Sequence, residues 1–134
     1  MKRFHAEIEG GFVVLLIGMR INKPWLVHRW LPVALAMRRM LRELAANPQI
    51  GLLRYETALI HGLAVVQYWR SPEALDRFAH DQGDLHIPAW RDWNRRIRDS
   101  EAVGIWHETY QVRAHESVYV NTPVFGLAAA GQST

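Results

Sequence analysis

Phe12–Ile21 (FVVLLIGMRI) is an unbroken apolar, β-branched run, which predicts a buried strand. Both of its faces are apolar: Val13, Leu15 and Ile17 lie on one, Val14 and Leu16 on the other. Pro24 and Trp25 break the run, and a helix is expected from about Pro32, since proline is tolerated in a first turn. Val33, Met37, Met40/Leu41 and Leu44 recur at helical spacing, with Arg38, Arg39, Arg42 and Glu43 on the other side, until Asn47-Pro48 stops the helix. Residues 51–57 and 62–69 read as two strands, and their short connection predicts a hairpin. Ser71-Pro72-Glu73 is a helix start, with a serine cap, proline at the first position and an acid against the dipole. That helix should turn Leu75, Phe78 and Ala79 inward. Residues 81–84 interrupt it at Gly83, and a second helical stretch covers about 88–98. Val103–Val112 is a fourth strand, residues 117–120 a short fifth, and the tail from Ala128 is expected to fray.

The order strand, helix, strand, strand, helix, strand is the ferredoxin-like βαββαβ order of an α+β domain, with helices on one face of an antiparallel sheet. No linker or repeat divides residues 1–134, so one domain is expected. A sheet covered on one side should alternate apolar and polar residues, and this one does not. A second copy of the sheet is the economical cover. The pattern therefore predicts a homodimer in which two sheets close a shared barrel.

Composition narrows the chemistry. The chain has no cysteine, which excludes disulfides, thiolate nucleophiles and Cys-ligated metals. The net charge of +3 comes mainly from arginines on helix faces, and no nucleic-acid motif accompanies them. The longest apolar run is too short to span a membrane, and Glu7 and Glu9 precede it without a cleavage pattern. A cytoplasmic protein is expected, with neither nucleic acid nor membrane as partner. There is no zinc or non-haem-iron spacing, no glycine-rich phosphate loop and no Gly-x-Ser-x-Gly turn.

The candidate chemistry concentrates in residues 84–110. On a helix His86, Trp90, Trp93 and Ile97 share one face, so His86 must find a partner indoors: a backbone carbonyl, a substrate, or a metal such as haem iron. On the last long strand Trp106, Glu108 and Tyr110 share one face, and Ile105, His107 and Thr109 the other. Adjacent His107 and Glu108 thus cannot form a simple acid–base pair. A carboxylate on an apolar strand needs a partner, and Arg20 is the candidate, either in a site or as a bridge at a dimer seam. Asn22, ending the first strand, suits a substrate oxygen or a turn. Trp69, Phe78, Trp90 and Trp93 are candidate pocket walls or plain core, and Trp106, His107 and Tyr110 complete the substrate-binding candidates.

LLIGMRINKPW at 15–25, VVQYWRSPEAL at 65–75, HIPAW at 86–90, GIWHETY at 104–110 and YVNTPVFGL at 119–127 cover nearly the whole chain in order. In these pieces the chain resembles the dimeric α+β barrel superfamily, and within it a bacterial group labelled "monooxygenase family protein". The resemblance implies a small-molecule substrate and a choice of chemistries, from cofactor-free oxygenation to haem-dependent dehydration or haem degradation. It implies either no cofactor or haem b. Haem-binding members carry their iron-ligating histidine on the helix after the third strand, the region of His86. The tryptophan with which some haem degraders ruffle the porphyrin is matched by no motif, and Phe78 stands nearest its place. Three readings follow: a monooxygenase with His86, Glu108 and Arg20 in its catalytic centre, a non-catalytic binder of haem or a small hydrophobe, and a structural dimer.

Overall fold

A computed structural model of the chain describes residues 3, 4, 6, 7, 11–60, 62–80, 93, 95, 96 and 102–133. The elements are β1 (Arg3–Phe4), β2 (Ala6–Glu7), β3 (Phe12–Ile21), α1 (Val27–Ala46), β4 (Leu52–Leu59), β5 (Leu63–Trp69), α2 (Pro72–Ala79), β6 (Val103–Val112), β7 (Tyr119–Val120), α3 (Leu127–Ala130) and β8 (Gln132–Ser133). Residues 93, 95 and 96 have helical backbone. The four long strands form one antiparallel sheet in the order β4-β5-β3-β6. This is the α+β, ferredoxin-like arrangement that the element order predicts, with β3 in the centre where its apolar run is covered on both sides by neighbouring strands.

The register assigns each side chain to a face. Val13 stands opposite Trp69 and Gln111, Leu15 opposite Gln67 and Thr109, and Ile17 opposite Val65 and His107. These residues face the helices. The buried residues of α1 are those the periodicity selects, Val33, Met37, Met40, Leu41 and Leu44, with Ala36 filling the same stripe. They pack with Val13, Met19, Val65 and Trp69 into one core that also takes in Ala74, Phe78 and Trp93.

Three local expectations are corrected. Helix α1 starts at Val27, not near Pro32, which lies inside it. A tight turn starts the helix earlier: Leu26 N–H donates to Lys23 O, Arg29 and Trp30 N–H donate to Leu26 O, and Trp30 Nε1 donates to Pro24 O at 2.9 Å. A single proline removes one i→i−4 bond, and the helix outlives that loss because its next four turns are packed. Ala79 is exposed at the end of α2, and the inward alanine is Ala74 one turn earlier.

The tail is also docked and not frayed. Leu127 and Ala128 pack on Phe12, Val14, Tyr68 and Val112, on the face of the sheet away from the helices. Gly126 N–H donates to Glu56 Oε1 at 2.8 Å, and Ala128 N–H to Tyr119 Oη at 3.3 Å. Strands β7 and β8 then pair with β1 and β2. Partial burial alone would raise the Glu56 carboxyl. The Gly126 N–H and the Arg54 guanidinium together hold it below the usual carboxylate range. The chain thus covers one end of its second face itself. Leu16, Val66 and Trp106 lie further along that face, with the Trp106 indole against Gly18, which has no Cβ to keep it away.

Candidate active site

The helix-covered side of the sheet is almost wholly apolar, so its polar members stand out. Gln67 sits in mid-strand between Leu15 and Tyr55, with 2% of its surface exposed, and it is the buried polar side chain of the described residues. Trp69, fully buried two residues on, donates from Nε1 to Gln67 Oε1 at 2.8 Å. Trp69 also stacks on Phe78, with ring centroids 5.4 Å apart. Two calculable consequences follow from chemistry. An indole N–H only donates, so the amide atom facing it is the oxygen, and the amide NH2 points away. Trp93, 7% exposed in the same core, has a buried Nε1 that lacks a partner.

Two pockets flank this interior on the helix side. One of about 450 Å³ lies between α1 and the β4–β5 hairpin, floored by Tyr55, Thr57, Leu63 and Val65 and walled by Met37 and Leu41. The other, about 470 Å³, lies between α2 and the sheet, lined by Val13, Leu75, Asp76, Ala79, Thr109 and Gln111. Both are of a size for one or two rings. His107 stands one step along β6 from Thr109, on the same helix-facing row and exposed at the sheet edge.

The structure therefore splits the residues that the sequence nominates. Trp69, Phe78, Trp93 and His107 belong to the helix side. Arg20, Trp106, Glu108 and Tyr110 belong to the opposite face, so they cannot wall a pocket between sheet and helices of one subunit. His86 and Trp90 lie outside the described residues. The expected Glu108–Arg20 bridge does not form within the chain. Arg20 stands opposite Gly104 and Glu108 opposite Leu16, four residues apart on the ladder or roughly 13 Å. Glu108 instead accepts from Tyr110 Oη at 2.7 Å, and that hydrogen bond holds the Tyr110 phenol above its ordinary value. Asn22 is exposed and serves the backbone, its N–H donating to Ala102 O at 2.8 Å.

No group of three His, Asp or Glu side chains among the described residues is disposed to hold a metal ion. Among the described residues neither pocket wall includes a histidine, and His28, His80, His107 and His115 are all exposed. None of the described helices is long and apolar enough to cross a membrane.

Gln67 is absent from the sequence-derived candidates, though a signal for it exists. In LAVVQYW the period-two alternation that buries Val65 and Trp69 buries residue 67 with them. An amide at an inward position of a central strand is the anomaly to look for.

No curated protein matches this chain. The crystal structure of SnoaB, a cofactor-independent oxygenase from Streptomyces nogalater, is similar in fold, with a TM-score of 0.53 and 13% identity, covering 79% of this chain and 97% of that one. The description Monooxygenase af470-like matches residues 12–127, which takes in the central sheet, both helix-side pockets and Gln67. With most of its length matched, the chain belongs to the Monooxygenase af470-like family.

Proposed function

We propose that this protein is a monooxygenase that oxidises a small, mainly apolar or aromatic substrate held between its sheet and its helices. The observation that carries this reading is the pair of helix-side pockets of about 450 and 470 Å³ flanking the core that holds Trp93, whose buried Nε1 lacks a partner. Family membership and the fold shared with a cofactor-independent oxygenase support the same class of chemistry.

In the cofactor-free form of this reaction the substrate supplies the electrons. A base removes a proton from an activated CH2 group, and the carbanion passes one electron to dioxygen. The resulting radicals recombine to a peroxide, which loses water and leaves a carbonyl. One oxygen atom stays in the product, and the other leaves as water with the two hydrogens. His107 is the imidazole on the helix-facing row of the described sheet and takes the proton in this scheme. His86 is the second imidazole to test. Glu108 and Arg20 act in this scheme only through a second copy of the chain, because both lie on the face away from the helices. A homodimer closing over Leu16, Val66 and Trp106 completes the reading.

The test is oxygen uptake by the purified protein with a panel of enolisable aryl ketones and hydroquinones, using ¹⁸O₂. The expected result is protein-dependent uptake with one labelled atom in the product and one in water, lost in His107→Ala. Light scattering on the same sample is expected to give twice the mass of the chain. Turnover that appears only after adding hemin, and disappears in His86→Ala, would replace this scheme with a haem-dependent one. No uptake with any substrate would leave a binding protein.

A further inference from the structure

We propose that the pocket between α1 and the β4–β5 hairpin is the substrate site, and that Arg38 in its wall selects an acid: an apolar ring body carrying a carboxylate. The inference rests on the proposed function only in calling that ligand the substrate, and its binding evidence is independent of turnover.

Two periodicities build this pocket of about 450 Å³. On α1, Met37 and Arg38 stand one turn before Leu41, and all three line it. On the sheet, Thr57 and Val65 face each other across β4 and β5, with Tyr55 one step along the same helix-facing row. Met37, Leu41 and Val65 are out of water, at 1%, 4% and 1% exposure, and give the pocket an apolar interior. Leu35 on the same wall is half exposed, which leaves apolar surface for a bound ring to cover.

The polar part of the wall has one sign. Arg38, Tyr55 and Thr57 all offer hydrogen-bond donors, five of them in the planar fork of the guanidinium. Among the described residues the wall holds no carboxylate, and Arg38 makes no ion pair. The pocket under α2, of nearly the same size, is the opposite case. Its described wall carries Glu73 and Asp76 and neither arginine nor lysine. The helices repeat the difference: α1 holds Arg29, Arg38, Arg39 and Arg42 against Glu43, and α2 holds Glu73 and Asp76 against Arg77. Charge therefore sorts ligands between two pockets that size alone does not distinguish, and an anion is favoured under α1.

A carboxylate at Arg38 can accept two parallel N–H bonds, which fixes its direction as well as adding strength. The ring body then lies inward, over Met37, Leu41 and Val65. A neutral ligand of the same shape keeps the apolar contacts and loses the charge-assisted bonds, while an ammonium meets a like charge. The acid group is what this site discriminates.

The experiment measures binding of 2-naphthoate, 2-naphthamide and 2-naphthylmethylamine to the whole chain by calorimetry at low salt. Wild type is expected to bind the acid at least about fivefold tighter than the amide, the scale of a charge-assisted pair partly open to water, and the amine most weakly. Arg38 is exposed, so its replacement leaves the fold intact, which circular dichroism checks. Arg38→Gln should abolish the preference for the acid and leave the affinity for the amide unchanged. Arg38→Lys, which keeps the charge and loses the fork, should restore part of the preference. Arg42→Gln removes the same charge outside the described pocket wall and should keep the preference. Equal binding of acid and amide by wild type would overturn the assignment. So would a preference that survives Arg38→Gln, or one that Arg42→Gln lowers as far, since net charge and not this pocket would then attract the anion. Oxygen uptake on neutral ketones alone, at wild-type KM in Arg38→Gln, would sink Arg38 as the substrate's anchor and leave the oxygenase reading standing. Arg38-dependent binding of 2-naphthoate, with no substrate turned over, would sink the oxygenase reading and leave the acid site standing.

Discussion

The Trp69–Gln67 hydrogen bond lends itself to a double-mutant cycle because both partners are out of water, at 0% and 2% exposure, and 2.8 Å apart. Trp69→Phe removes part of a fully buried ring, costing about 1–2 kcal/mol in transfer and cavity terms. It also leaves Gln67 Oε1 buried without a donor, which adds about 1–3 kcal/mol. The single variant should therefore lose about 2–5 kcal/mol, a large share of a stability of about 5–15 kcal/mol. Gln67→Met orphans the Trp69 N–H for about 1–3 kcal/mol. In the double variant neither orphan exists, and only the ring loss of about 1–2 kcal/mol remains. The two single losses should exceed the double loss by about 2 kcal/mol, taking the lower ends of these ranges. Urea unfolding followed by circular dichroism measures all four proteins, with unchanged m-values confirming that the same transition is compared. Additivity within about 0.5 kcal/mol would refute the reasoning, since it would mean that the two side chains do not depend on each other.

Three further outcomes follow from local geometry. Ser71 Oγ accepts from Ala74 N–H at 3.1 Å, so Ser71→Ala should lower stability by about 1 kcal/mol in urea unfolding, and Ser71→Asp should restore it. Gly51 has φ +125° and its added Cβ would lie 2.6 Å from Ala74 Cβ, so Gly51→Ala should cost more than the ~1 kcal/mol of a backbone penalty alone. Ala74→Gly in the same chain should recover only the contact part of that loss. Glu56 has a folded pKa held below its unfolded one, so the unfolded chain binds more protons in acid. Its contribution is present above the unfolded value and is lost as pH falls through the lowered folded value. The urea midpoint of wild type should drop through that acid window, and the curve for Glu56→Gln should lack that component. Parallel curves would show that the carboxylate does not hold the Gly126 turn.

Local signals made the fold legible. The strand of residues 103–112, the cap at Ser71 and the buried stripe of α1 each need only a few neighbouring residues to recognise, and all three are found where the pattern puts them. What escaped depends on distant partners. The docking of the tail is set by Glu56 and Gly126, 70 residues apart, and no local composition announces it. The start of α1 escaped because the turn at residues 23–26 is made by backbone bonds and an indole, and no capping side chain marks it. The site was legible by halves. Trp69, Phe78 and Trp93, read as pocket walls or core, take their places in the core, but a Glu108–Arg20 pair required a register, and pairing β3 with β6 sets the two residues four steps apart. Gln67 required attention to which face of β5 is buried, and its partner, the Trp69 indole, becomes visible only once both side chains are placed.

Strand β6 alternates two sets of polar side chains, and its register decides which set faces the helices. With Ile17 opposite His107, the imidazole and Thr109 join the helix side, while Glu108 and Tyr110 pair with each other on the opposite face. A slip of one residue would exchange the sets, turning the carboxylate towards the helix-side core and the imidazole to the opposite face. Two features oppose that slip. The Trp106 indole occupies the space over Gly18, the only glycine within β3, and would meet a side chain at either neighbouring position. Beyond the strand end, Asn22 N–H donates to Ala102 O and continues the same register. The small residue in an otherwise bulky strand is thus tied to the alignment of β3 with β6. It takes up a tryptophan on one face, and this keeps a histidine on the other.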